Sequence, residues 1–427
     1  MPQADFPIDS IRAEFPALAL ADGGKPRVYL DNPAGTQVPG QVLRRTQEAF
    51  IHKNANLGGF FRSTVDAGDM VEAAHGSVAD FYNAGSPNEI IFGQNMTQLT
   101  FMFSRALARR FEKGDEIVLS RMDHDANVSP WLYLAEERGL VVRWMDFDTE
   151  TYEFPEDALT KVLSPRTRLL AMGMASNCTG TIHDVKRFTA QAKAAGALVY
   201  LDAVQFAPHC PVDVQDIGAD FVVSSAYKWF GPHQGILWGR EDLLAETVAY
   251  KVRPAGNELP YKFEPGTMSH EGMAGTMGAV EYLADIGAKV ASPRHMAAHA
   301  GKRPAVQALH AAMDALTDYE HGITARLIAG LREVKGLTIR GITSDNAMHR
   351  RVPTVSFTLE GHQPEALAKG FAAENIFVWS GHNYAIEPVG RMGLMDKGGV
   401  LRVGLAHYNT AAEVDRFLDV LNGQVQR

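Results

Sequence analysis

A mostly parallel α/β sheet covered by helices on both faces, followed by a smaller α+β domain, is the architecture this sequence predicts. Three observations carry it. The chain has 427 residues, too long for one simple core. Its middle alternates short, continuous apolar runs with helical patterns, as strands buried on both faces require. Past about residue 285 the texture changes to an alanine-rich helical stretch and shorter mixed elements.

The elements follow in order. "EIIFG" (89–93) reads as a strand and precedes a helical stretch from Thr97 to Phe111. "EIVLS" (116–120) precedes the helical "SPWLYLAEERG", and "LVVRWMDF" is the next strand. "RLLAMGM" (168–174) leads to a helix across "VKRFTAQAKAAG". "LVYLD" (198–202), "ADFVVSS" (219–225) and "GILWG" (235–239) complete the apolar runs. Beyond them a helix is expected from about 295 to 317, then "YEHGITARLIAGLREV", "VPTVSFTLE", a helix across "PEALAKGFAAE", "IFVWS", "LRVGLAHY" and a last amphipathic helix from Ala411 to Leu421. No internal repeat or low-complexity linker interrupts the series.

Composition narrows the function classes. With 46% hydrophobic and 21% charged residues the chain is that of an ordinary soluble protein. Its formal net charge of -9, without a basic tract, argues against a nucleic-acid or anionic-membrane surface. The start lacks a basic segment followed by an apolar one, no apolar run reaches membrane-spanning length, and two cysteines suit a reducing compartment. A cytoplasmic protein without a metal site is the expectation.

Polar residues fall where the strands should end, and in such sheets ligands bind beyond the strands' carboxyl ends. Asp202 closes "LVYLD", with Gln205 three residues on. Each reads in isolation as a turn or cap residue as readily as a functional one. The same holds for Asn177 after "MGMAS", and for His124 in "SRMDHDANVSPW", where a hydrogen-bonded structural histidine is the plain alternative. "NMTQLTF" opens a helix whose N–H groups, with the Thr97 hydroxyl, can cap the helix or hold an anion. Lys228, in "SSAYKWFGPHQG", follows another strand.

Together these residues meet one chemical specification. A lysine amine can hold an aromatic aldehyde as a Schiff base, and a carboxylate can keep a pyridinium nitrogen protonated. An imidazole can stack on the ring, Asn and Gln can bind a ring hydroxyl, and a helix N-terminus with Thr97 and Ser225 can hold a phosphate. Those are the requirements of pyridoxal 5'-phosphate (PLP).

The sequence resembles the class V aminotransferases of PLP fold type I, and most closely their cysteine desulfurase-like branch. "VYLDNPAGTQVP" is similar to the family's N-terminal strand and turn, which implies that Ala34 and Gly35 face the substrate. "MDHDANVSPW" resembles the segment that carries the ring-stacking histidine, here His124, and "SNCTGTIHDV" the one that supplies Asn177. "LDAVQFAPHCPVDVQDIGADFVVSSAYKWFGP" carries over Asp202, Gln205, Ser225 and the aldimine-forming Lys228. "LRVGLAHYNTAAEVDRFL" resembles the motif whose arginine, here Arg402, holds the substrate α-carboxylate. The resemblance also implies a large PLP-binding domain (21–284) with a seven-stranded-type sheet, and a small α+β domain (1–20 and 285–427). It implies a homodimer too, in which Arg62 of "GGFFRSTV" approaches the site across the interface and Thr267 of "FEPGTMSHEG" reaches the neighbour's phosphate.

The pattern breaks in three places. Desulfurases keep a nucleophilic cysteine on a loop whose counterpart here is "FVWSGHNYAIEP", with Tyr384 at the thiol's position. Tyr227 stands where desulfurases usually have a histidine, and Met96 where the phosphate turn often has threonine, leaving backbone N–H groups and Thr97 for the phosphate. His382 and Tyr384 either act as acid or base near the substrate β-carbon or only shape the pocket. The expected activity is a lyase cleaving C–S or C–C at the β-carbon without a persulfide. Transamination or epimerisation, and a non-catalytic PLP-binding protein, are the alternatives.

Overall fold

The computed structural model describes residues 6–426; the first five residues of the expected small domain, and Arg427, lie outside the described residues. Seven strands form the central sheet: β1 (Ile90–Gly93), β2 (Glu116–Ser120), β3 (Val141–Met145), β4 (Thr167–Gly173), β5 (Leu198–Asp202), β6 (Phe221–Ser225) and β7 (Gly235–Gly239). Their spatial order is β1-β7-β6-β5-β4-β2-β3. Neighbours from β6 to β3 run parallel, and β7 alone is antiparallel, to both β1 and β6.

The continuous apolar runs are explained by two cores, one on each face. Val118, Leu170, Leu201, Val222 and Ile236 point into the larger core, and their sequence neighbours Ile117, Leu169, Tyr200, Val223 and Leu237 into the other. Successive side chains alternate faces, so a strand covered on both sides must be apolar throughout. Local signals set the helix ends. Asn95 caps Met96–Leu107 by accepting from the Gln98 N–H, Asp184 caps Val185–Ala194, and Gly139 (φ 66) closes Ser129–Arg138 in the left-handed conformation.

The C-terminal region holds a four-stranded antiparallel sheet of β8 (Leu337–Ile339), β9 (Thr354–Leu359), β10 (Trp379–Gly381) and β11 (Val400–Gly404), in the order β8-β9-β11-β10. One expectation is corrected here. The helical stretch about 295–317 and the segment after it are a short helix, Pro293–Ala298, and one uninterrupted 29-residue helix, Pro304–Arg332. Gly301 at φ 89 and Pro304 at the first turn make the break, while the buried stripe from Val306 through Leu316 and Ile323 to Leu331 is continuous.

Two connections bring the C-terminal sheet to the strand ends of the central one. Val28–Tyr29 pairs in parallel with Ile376–Phe377, and Asp31 bridges Gly404. Thr181 bridges Arg351, tying the turn after β4 to the approach of β9. Among the described residues no helix is long and apolar enough to cross a membrane.

Candidate active site

The carboxyl ends of the parallel strands open on a cavity of about 640 Å³. Lys228 ends the tight turn that follows β6, where a Cβ on Gly231 would meet Ala226 Cβ at 2.7 Å, so only glycine closes it. The lysine is 9% exposed, and its Nζ donates to the Pro33 carbonyl. Burial, and then the Arg402 charge, lower its pKa to about 7, against the opposing pull of Asp31 and Asp202.

Two more strand ends carry buried carboxylates. Asp202 terminates β5; its Oδ1 accepts from the Val204 N–H at 2.8 Å, and burial raises its pKa to about 6. Asp123, just past β2, accepts from the Gly173 N–H and from Asn127 Nδ2, both at 2.8 Å, and burial pushes it to about 7. Next to it, His124 Nδ1 accepts from the Ala126 N–H at 3.0 Å, which leaves the proton on Nε2. Burial, with the Lys228 and Arg402 charges, lowers this imidazole to about 3 and keeps it neutral.

Asn177, Gln205 and Arg402 meet at the side facing the small sheet. Asn177 Nδ2 donates to the Asn383 carbonyl and Gln205 Nε2 to Thr354 Oγ1, at 2.8 and 2.9 Å, while the two amide oxygens are buried without a partner. Arg402, buried on β11, donates to the Asn177 carbonyl at 3.2 Å and pairs with Asp31 at 3.5 Å, with Nε unpartnered. At the other end lie Met96, Thr97 and Ser225. The Met96 N–H donates to Ser225 Oγ at 2.9 Å.

Other residues singled out in the sequence lie around this cavity rather than in it. Ala34 and Gly35 form the turn after Asp31, Gly35 against the Tyr227 ring, and line a neighbouring cavity. Tyr384 is 67% exposed on the loop after β10, and its ring stacks on His124 with centroids 5.4 Å apart. His382 is exposed and accepts from the Tyr384 N–H. Thr267 is exposed and lines other cavities, and Arg62 is exposed and paired with Asp66. Among the described residues no cluster of His, Cys, Asp and Glu is placed to hold a metal ion.

Sequence reasoning passed over Asp31, Asp123 and His233. For Asp31 a signal existed. "VYLD" occurs twice, at 28–31 and at 199–202, and both times it delivers a carboxylate beside Lys228.

A buried amine near neutrality, a carboxylate at the adjacent strand end, a neutral imidazole and two orphaned amide oxygens fit PLP. They would give it, in turn, a group for the aldehyde, a partner for the ring nitrogen, a ring face, and acceptors for the ring hydroxyl. Such a cavity at the edge of this sheet defines a PLP-dependent enzyme of fold type I. The model of the aminotransferase class-V family matches residues 28–310 and 294–417, and the chain belongs to that family.

A cysteine desulfurase of Yersinia pestis (strain Pestoides F) is 31% identical over a 434-residue alignment that covers 97% of each chain. Among solved structures, the apo cysteine desulfurase of Thermococcus onnurineus NA1 superposes with a TM-score of 0.85 at 25% identity, over 98% of both chains. The Escherichia coli cysteine desulfurase CsdA, in an S-sulfonic acid form, gives 0.81 at 26% identity over 99% of both. The protein is thus a PLP-dependent, cysteine desulfurase-like enzyme.

Proposed function

We propose that this enzyme is a lyase that breaks a bond at the β-carbon of an α-amino acid, C–S or C–C, without passing sulfur through a protein thiol. The observation that carries the reading is the thiol inventory. Tyr384 occupies the loop over His124, and the two cysteines are Cys178, fully buried, and Cys210. Cys178 packs among Ala385, Val389, Leu394 and Val400, and burial raises its pKa to about 11, so it is neither a thiolate nor open to substrate. Burial pushes the Cys210 thiol up as well.

In this reading bound PLP supplies an electron sink next to the amino acid's Cα. Arg402 holds the α-carboxylate with the part of its fork that Asn177 and Asp31 leave open. Asn177 and Gln205 would orient the ring hydroxyl, His124 would cover the ring, and Asp202 would hold the proton on the ring nitrogen. Lys228 Nζ would take the Cα proton, and the group on Cβ would leave with its bonding electrons. His382 and Tyr384, on the loop over His124, would bound the space for that group.

With cysteine as substrate, loss of HS⁻ from Cβ followed by water addition yields pyruvate, ammonia and sulfide. The test is product analysis with intact-mass measurement on wild type, Cys178→Ala and Cys210→Ala. Pyruvate and sulfide in equal amounts, with no sulfur added to the protein, is the expected result. Alanine together with a persulfide on either cysteine overturns it, and a keto acid that retains the substrate's side chain indicates transamination instead.

The reading extends to a homodimer. Arg62 and Thr267 lie outside their own chain's cavity, and Phe50, Ile51, Phe60 and Phe61, on the segment leading to Arg62, are large apolar side chains left exposed, as a covered interface would require. Light scattering should give twice the chain mass; a fully active monomer would count against it.

A further inference from the structure

We propose that His233 is a ligand of the cofactor's phosphate group and supplies there the positive charge that the helix N-terminus lacks. The inference rests on the cavity being the PLP site, whose polar design shows independently in the buried, unpartnered oxygens of Asn177 and Gln205.

The first observation is a shortage of donors. Of the leading N–H groups of Met96–Leu107, Met96 donates to Ser225 Oγ and Gln98 to Asn95 Oδ1, each at 2.9 Å. Among the described residues only the Thr97 N–H between them has no partner. Ser225 can still donate its own hydroxyl proton, and Thr97 its hydroxyl. Within its own chain, three neutral donors would meet a group that carries close to two negative charges at neutral pH.

The second observation is a shortage of charge. Lys228 Nζ is turned to the Pro33 carbonyl, and Arg402 is engaged by Asn177 and Asp31 at the opposite end. Of the cavity-lining side chains able to carry a positive charge, burial keeps His124 neutral and Lys228 is committed to the Pro33 carbonyl, which leaves His233.

The third is placement. Gly235 pairs with Ser225 on one side and Gly93 on the other, which brings the start of β7 to the same sheet edge as the helix N-terminus. A Cβ on Gly235 would meet the Asn95 carbonyl carbon at 2.5 Å, so this close approach requires glycine. The Ala226 N–H donates to the Gln234 carbonyl at 2.8 Å, locking residues 233–235 to the Lys228 turn. His233 stacks on Tyr227, with centroids 5.2 Å and planes 28° apart. Tyr227 thereby props an imidazole at the phosphate end from a position six residues further along the chain.

The test compares two probes that differ only in the phosphate. Apoprotein is titrated with PLP and with pyridoxal, following absorbance and quenching of protein fluorescence, for wild type, His233→Ala and His233→Lys. His233→Ala should weaken PLP about ten- to a hundredfold, the range for a hydrogen bond to a charged group, and leave pyridoxal unchanged. His233→Lys should recover most of the preference for PLP, because it restores the cation. Equal weakening of both probes would mean that His233 only buttresses Tyr227, and no weakening of either would mean that it touches neither; both results overturn the proposal. A wild type that captured neither probe on Lys228 would overturn the reading of the whole cavity, and this inference with it.

Discussion

Lys228→Ala is expected to lower turnover by at least about two to four orders of magnitude, the range for losing a positioned proton-transfer group. PLP should still bind, more weakly, but borohydride should no longer fix it to the chain. Burial does not single out this lysine. Lys262 is equally buried, yet its Nζ is satisfied by the Leu244 and Ala245 carbonyls at 3.0 and 2.6 Å, and it lines no part of the cavity. Lys228 instead lies in the field of Arg402, which favours the neutral amine, and of the carboxylates Asp31 and Asp202, which favour the charged one.

Burial, and then the Arg402 charge, depress its pKa to about 7, so in the ligand-free chain a large share of the amine is neutral at physiological pH. Only the neutral amine attacks an aldehyde. The rate at which wild-type apoprotein captures PLP should therefore be flat above about pH 7 and fall tenfold per unit below it. Peptide mapping of the reduced wild-type protein checks the assignment. An adduct on Lys262, or on none, would remove the basis of the site.

Much of this site was legible because the chemistry sits at the ends of strands that the sequence declares strongly. "LVYLD", "ADFVVSS" and "RLLAMGM" each pass from an apolar run to a polar residue within a step or two, and the fold then brings all such ends to one edge. Less legible was whatever depends on partners distant in the chain. Asp31 meets Arg402 only because Val28–Tyr29 lies alongside Ile376–Phe377, a pairing of two-residue strands without a periodic signal. The N–H groups expected to be free for phosphate are partly engaged by Ser225 and Asn95, which becomes visible only when β6 is set beside the helix. His233 joins the site through a glycine contact and a ring stack, neither of which has a sequence pattern. The helix break near 301 was missed for the opposite reason: alanine-rich composition hid a left-handed glycine and a helix-starting proline.

Asp202→Asn should leave PLP bound and remove at least about two orders of magnitude of activity, comparable with losing one preorganised electrostatic contact. The geometry makes the substitution nearly silent for folding. Asp202 Oδ1 already accepts from the Val204 N–H, and an asparagine oxygen can keep that bond. The change falls on the second oxygen, which has no protein partner among the described residues and belongs to a side chain lining the cavity. As a carboxylate oxygen it would accept from a protonated ring nitrogen and stabilise its charge; as an amide NH₂ it would be a donor and favour the unprotonated ring.

The Asp202 carboxyl is raised to about 6, with burial the main cause and the Lys228 charge opposing it. It is thus ionised at neutral pH but loses its charge readily, and occupancy by a cationic ring would pull its pKa down. Asp123 shares the low-dielectric floor and sits higher, at about 7, in part because Asp202 is charged. The two carboxylates are therefore not interchangeable. Both Asp123 oxygens already accept, from Gly173 and Asn127, whereas one Asp202 oxygen has no protein partner among the described residues. Asp202→Asn should accordingly shift the bound cofactor's absorption toward the form with an unprotonated ring, at unchanged PLP stoichiometry. Near-normal turnover in that variant would show that Asp202 serves only the turn to Val204.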